Sequence, residues 1–229
     1  MSAPRLALFD LDGTLLDGDT DELWCRFLID EGLLDRATFA AANRDIAERY
    51  AAGAITPAEF CAFYAATLAG RSAADWAPLR ERFVTTEIAP RLGAASFALI
   101  AEHREAGDRL VLTTTTNRFL TVPIADELGI ADLIATELEI AAGTFTGRNV
   151  GVLNMREGKV TRLKAWLATE GFSDTSLADA IFYSDSINDL PLLSVVGRPI
   201  VVDPDARLEA AALAASWPVV RLDRAARGR

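Results

Sequence analysis

One stretch near the start, Leu6-Ala7-Leu8-Phe9-Asp10-Leu11-Asp12-Gly13-Thr14-Leu15-Leu16, limits what the rest of the chain can build. Four apolar residues in a row predict a strand buried on both faces, which is the habit of parallel sheets. The run then stops on two aspartates spaced two apart, which strand periodicity places on one side if the strand reaches that far. Two such acids repel unless a cation or a shared proton lies between them. In an open α/β sheet the carboxyl end of a central strand is where ligands bind.

The remaining periodicity agrees with an α/β fold, a doubly wound parallel sheet. Strands are expected at 110–114, 133–136, 180–183, 200–202 and 219–221, alternating with helical patterns at 94–103, 119–129, 158–170, 189–193 and 207–216, with a small hairpin at 138–148 around Ala142-Gly143. Residues 224–229 read as a loose tail. Between the first two strands the alternation is interrupted by four consecutive helical patterns. The third of these opens on Thr56-Pro57-Ala58-Glu59, a capping box with proline at the first helical position. The interruption implies an inserted helical unit over 17–87, with the sheet domain made of 1–16 and 88–229. An insert of roughly seventy residues has too small a core to stand alone comfortably and is expected to lean on the sheet.

Composition excludes several functions. With 23 Lys plus Arg against 33 Asp plus Glu, the formal charge is −10, so no nucleic-acid footprint is expected and a phosphorylated ligand would need a local cation. No apolar run reaches the ~18 residues of a membrane span and no signal-peptide layout is visible, so a cytoplasmic protein without membrane contact is expected. Cys25 and Cys61 fall in apolar-periodic segments and read as buried thiols. The single histidine, His103, rules out a His-based phosphotransfer site; a surface or helix C-terminal role is expected for it.

Three further stretches carry chemistry. The second strand ends in Thr113-Thr114-Thr115-Thr116-Asn117, just before a helix whose free N–H groups suit an anion. Gly158-Lys159-Val160 puts a lysine at a helix start, against the usual acidic preference, with Lys164 as the competing candidate. Ser184-Asp185-Ser186-Ile187-Asn188-Asp189-Leu190-Pro191 ends a strand on an acid with a second acid four residues on, a spacing that can aim both at one ion.

Together, Asp10-x-Asp12-Gly-Thr, the threonine run, Lys159 and the Asp185–Asp189 string resemble the four motifs of the haloacid dehalogenase (HAD) superfamily in order and spacing. The helical insert between the first two motifs is similar to the phosphoserine-phosphatase-like branch. Asn117-Arg118-Phe119 and Pro123-Ile124-Ala125 resemble bacterial histidinol-phosphatases of that branch, whereas phosphoserine phosphatases proper carry Ser-Gly-Gly where this chain has three threonines.

The resemblance implies a phosphatase acting on a small phosphorylated metabolite. Asp10 would be the nucleophile and Asp12 the acid and base. Thr114 (or Thr113) and Lys159 would cradle the phosphate. Mg²⁺ would be held by Asp10, the Asp12 carbonyl and Asp185, with Asp189 as ligand or support. Asp19 and Asp21, just past the first strand, are candidate contacts for a substrate ammonium, with Arg118 and Asn188 as further candidate substrate contacts. The rival readings are a phosphotransferase of the same superfamily, a haloacid dehalogenase, and a phospho-accepting receiver module.

Overall fold

The structure is a computed structural model that describes residues 3–222, so the expected tail at 224–229 lies outside the described residues. Its centre is β1 (Leu6–Phe9), paired in parallel with β2 (Arg109–Asn117) on one side and β5 (Ile181–Ser184) on the other. The seven strands lie in the order β4-β3-β2-β1-β5-β6-β7, completed by β3 (Asp132–Ala141), β4 (Thr144–Val150), β6 (Arg198–Val202) and β7 (Val219–Val220). All pairings are parallel except β3–β4. The chain leaves β1 in opposite directions to reach its two neighbours, so the switch point of the sheet lies at the carboxyl end of β1.

Both faces of β1 are buried, which is why it reads as an unbroken apolar run. Ala7 and Phe9 enter one hydrophobic cluster, Leu6 and Leu8 the other. The first cluster is covered by α5 (Ala94–Glu105) and α6 (Arg118–Leu128), the second by α7 (Glu157–Thr169), α8 (Leu190–Leu193) and α9 (Ala206–Ala215). The expected short strand at 133–136 and the hairpin at 138–148 are one continuous element. β3 starts parallel to β2 and, past a bulge, continues antiparallel to β4.

The four helices of the insert are α1 (Thr20–Asp30), α2 (Arg36–Ala51), α3 (Pro57–Ala66) and α4 (Ala73–Phe83). Each starts on a side-chain cap: Asp19, Asp35, and the reciprocal boxes Thr56–Glu59 and Ser72–Asp75. After α4 the backbone widens into a π turn over Val84–Ile88, tightens at Ala89–Arg91, and Leu92 bridges to Leu16. The insert shares a core with the sheet, because Trp24, Phe27, Trp76 and Phe83 belong to the same cluster as Leu112, Phe119 and Ile124. A smaller cluster around Ile46, Ile55, Phe60 and Tyr64 takes in Met155 from the loop before α7.

Cys25 and Cys61 are buried free thiols. His103 is in the last turn of α5 but not on the surface: Nδ1 lies 2.7 Å from Asp108 and Nε2 2.8 Å from the Tyr183 hydroxyl, and Arg5 holds the same Asp108 with two bonds. Among the described residues, no helix is long and apolar enough to cross a membrane.

Candidate active site

β1 ends at Phe9, one residue before the first acid. The Asp10 N–H still donates to the Tyr183 carbonyl of β5 (2.9 Å), and the chain then folds back so that the Leu11 carbonyl accepts from Thr14, Leu15 and Leu16. Strand periodicity therefore does not extend to Asp12, and the two carboxylates are held by different partners. Asp10 turns to Lys159. Asp12 is held by donors on its other flank: the Thr20 N–H (2.7 Å) and hydroxyl on Oδ1, and the Thr114 (3.2 Å) and Thr116 (2.9 Å) hydroxyls on Oδ2.

Lys159 rises from the first turn of α7 into the protein, only 1 % exposed. Its Nζ donates to Asp10 Oδ1 at 2.8 Å and to Asp189 Oδ2 at 2.7 Å. Lys164 pairs with Asp174 on the surface. Burial alone would lower the Lys159 pKa, but Asp10 and Asp189 override it and the ammonium is held above its ordinary range. Burial pushes the Asp10 carboxyl well up; Lys159 pulls it back while Asp189 and Asp185 add repulsion.

Asp185 lies across the site from Lys159's partners. Thr14 grips it, its hydroxyl donating to Oδ1 (2.8 Å) and accepting from the Asp185 N–H (3.0 Å). Burial pushes its carboxyl up to about 7, against the pull of the Thr14 bond. Gly13 makes this approach possible: at φ +74° a Cβ there would sit 2.0 Å from Asp185 Oδ2. Asp189 does not converge with Asp185 on one point. Its Oδ2 is shared between Lys159 and the Ser184 hydroxyl (2.8 Å), because a 3₁₀ turn at Ile187–Asp189 carries it behind the strand end.

A cavity of about 180 Å³ opens on this cluster. Asp10, Asp12, Gly13, Asp185 and Ser186 form its floor, Thr115 and Thr116 one wall, Gly18 and Asp19 another, and Tyr50 of α2 and Phe60 of α3 its roof. The Tyr50 and Phe60 rings lie 4.5 Å apart between centroids. Among the described residues, no Lys or Arg lines it.

Other expected contacts are placed differently. Asp19 lines the cavity while capping α1 through the Glu22 N–H, and burial and the Asp12 charge push it up to about 8. Asp21 is buried beneath α3. Its Oδ2 accepts from Thr116, its Oδ1 has no partner, and burial holds it well above the carboxylate range. Arg118, a candidate substrate contact, is not among the residues that line the cavity. As the first residue of α6 it reaches along the sheet to Glu137 (2.8 Å) and the Leu133 carbonyl (2.9 Å). Asn188 is buried and accepts from Arg156 Nε at 3.0 Å, outside the cavity wall.

Strand alternation sorts the threonine run. Thr114 and Thr116 meet Asp12, whereas Thr113 and Thr115 meet Asn154. Thr116 could have been read from that period; Thr20, Ser184 and Tyr50 carry no sequence signal that separates them from caps and core.

The donor set suits a hard divalent cation. Asp10 and Asp185 offer carboxylate oxygens, and Lys159 alone does not balance the buried carboxylates around it. Among the described residues no three acidic, His or Cys side chains form a ready-made cluster. A cation here would rest on the Asp10 and Asp185 carboxylates with water completing its shell, which is how Mg²⁺ is commonly held.

The model of the haloacid dehalogenase-like hydrolases matches residues 7–194, a span that runs from β1 through the Asp185–Asp189 turn. The chain belongs to this family. Among HAD-like relatives it is 39% identical over 217 residues to the histidinol-phosphatase of Neisseria meningitidis serogroup C, covering 94% of this chain and 98% of that protein. It is 30% identical over 223 residues to phosphoserine phosphatase SerB1 of Mycobacterium tuberculosis, covering 93% and 69%. A Bordetella pertussis crystal structure described as a protein of unknown function superposes with a TM-score of 0.89 at 41% identity, covering 96% and 99%. In this fold Asp10, Asp12 and Asp185 line one cavity, and Lys159, which is not among its lining residues, is bonded to Asp10.

Proposed function

We propose that this hydrolase is a Mg²⁺-dependent phosphomonoesterase that acts through an aspartyl-phosphate on Asp10. The observation that carries the reading is the division of labour between the two acids. Asp10 is drawn to Lys159, while Asp12 is held apart by hydroxyls facing the same cavity. In the proposed reaction an Asp10 oxygen attacks phosphorus and the ester oxygen leaves as an alcohol, protonated from Asp12. Asp12 then takes a proton from the water that releases phosphate. Lys159 balances charge on Asp10, and Asp189, bound to Lys159 and Ser184, orients it. Thr114 is assigned to a phosphoryl oxygen: its 3.2 Å bond to Asp12 is long for a hydroxyl, and Thr116 serves the same oxygen better. Asp10, Asp185 and the Asp12 carbonyl would hold Mg²⁺, which when bound neutralises phosphoryl charge.

Residues 17–87 are proposed as the cap that closes this cavity, with Tyr50 and Phe60 against the leaving group. Among the described residues no Lys or Arg lines the cavity to meet a carboxylate, and Asp19 can accept a hydrogen bond there, which favours a cationic alcohol over one bearing a carboxylate. Histidinol phosphate is the first candidate, in line with the name of the Neisseria relative. Phosphoserine-like amino-alcohol phosphates come second, and the cytoplasm is the proposed setting. The test is a screen of small phosphate esters with and without Mg²⁺, including histidinol phosphate and phosphoserine. EDTA-sensitive release of phosphate, faster from histidinol phosphate, is expected. Activity that survives EDTA, or a preference for phosphoserine, would overturn the corresponding part.

A further inference from the structure

Arg156 joins the loop before α7, the Asp185–Asp189 turn and the helical insert. Its Nε donates to Asn188 Oδ1 (3.0 Å), and its Nη2 donates to the carbonyls of Ile55 (3.0 Å) and Gly53 (3.4 Å) in the α2–α3 turn. These carbonyls follow the C-terminus of α2, the negative end of the helix dipole, where a cation is favoured. Arg207 of α9 grips the same end through the Ala52 carbonyl (2.7 Å) but, among the described residues, donates no side-chain hydrogen bond to the Asp185–Asp189 turn.

Arg156 is itself tightly held. Its backbone is at φ +52°, a region that favours glycine, and its carbonyl accepts from the Lys159 N–H (3.1 Å). The loop before it is pinned by Asn154, whose side-chain amide donates to Thr113 and to the carbonyls of Thr114 and Ile134. Met155 is buried in the insert's own cluster beside Ile55 and Phe60. On the far side, Asn188 immediately precedes Asp189, on which Lys159 rests, and the turn that Arg156 grasps lies three residues beyond Tyr50, part of the cavity roof.

We infer that Arg156 is a positioning residue that ties the seating of the Tyr50–Phe60 roof to the alignment of Asn188, Asp189 and Lys159. One guanidinium reaches the two partners with separate donors of its planar fork, Nε to Asn188 and Nη2 to Ile55, whereas a lysine would have to reach both from a single nitrogen on a different stem. Seating the roof and aligning the lysine then become one event, so the charge cluster is arranged for reaction when the cavity is closed over a substrate. This rests on the phosphatase reading for its kinetic arm alone.

The test compares R156A, R156K and R207A in the full chain by hydrogen exchange and by steady-state hydrolysis of histidinol phosphate. The Gly53 and Ala54 amides, bonded to the carbonyls of Tyr50 and Arg49, report the turn. R156A and R156K are both expected to exchange faster there and to lose roughly 10–100-fold in kcat/KM, the size of effect that small misplacements of reacting groups produce. R207A is expected to loosen the turn with a smaller kinetic loss, since it does not reach Asn188. Rescue by R156K, wild-type exchange in R156A, or equal kinetic losses in R207A and R156A would overturn the inference. If the wild-type chain hydrolyses no ester, the phosphatase reading fails, while the exchange comparison still decides whether Arg156 holds the turn.

Discussion

Replacing Lys159 with methionine keeps the straight side chain and removes the charge, leaving Asp10 and Asp189 buried without their partner. At an effective dielectric of about 20, each contact at 2.7–2.8 Å is worth about 6 kcal/mol of Coulomb attraction. Withdrawing the three ions from water costs several kcal/mol apiece, so the attraction is largely offset in the native protein. Removing one partner restores little of that cost, and deletions of this kind destabilise by about 3–5 kcal/mol. For a chain of 229 residues that is a fall in Tm of about 6–20 °C.

The sign of the pH dependence is the sharper test. A carboxyl whose folded pKa lies above its unfolded value destabilises the fold above that pKa and ceases to do so as pH falls through it. Burial already raises Asp10, and losing Lys159 raises it further. The K159M deficit, followed by thermal unfolding monitored by circular dichroism without metal, should therefore be largest at alkaline pH and shrink as pH falls toward the ordinary carboxylate pKa of about 3.9. A Tm within about 2 °C of wild type, or a deficit that grows as pH falls, would refute the charge balance described for this cluster.

Three other outcomes follow from the same structure. Mg²⁺ at a hundred times its Kd should add about 2.7 kcal/mol, or about 5–11 °C in Tm, and D185N should remove most of that shift in a metal titration. Arg5 and His103 outweigh burial and hold Asp108 below the usual carboxylate range, so its stabilisation is present above about pH 3.9 and is lost as pH falls through the lower folded value. D108N should lower neutral-pH stability and flatten that acid limb of the unfolding curve. Trp24 is fully buried among Phe27, Trp76 and Phe83, so W24A should cost about 3–5 kcal/mol, and urea unfolding should remain a single transition because insert and sheet share that cluster.

Much of the fold was legible because its signals are local. Apolar runs mark strands buried on both faces, and Thr56-Pro57-Ala58-Glu59 opens α3 where a capping box and N1 proline require. The placement of side chains was less so. Asp10 and Asp12 alternate in sequence, yet a turn held on the Leu11 carbonyl separates them. Asp185 and Asp189 sit at a spacing that can share an ion, yet the 3₁₀ turn sends one to the cavity and the other to Lys159. Arg118 adjoins the threonine run but answers to Glu137, a partner 19 residues on that no local pattern announces. Lys159 and Lys164 share a helix and differ only in which face the sheet covers. His103 and Arg156 read as ordinary polar residues until tertiary contacts bury one and bridge the other.

The role of Asp10 is tested most directly by D10N, assayed with Mg²⁺ for phosphate release from histidinol phosphate and from p-nitrophenyl phosphate. The asparagine keeps the shape of the side chain but is a far poorer nucleophile toward phosphorus. The variant is expected to unfold as a folded protein does and to release no phosphate above background from either ester. Wild-type turnover in D10N would contradict the account at its centre.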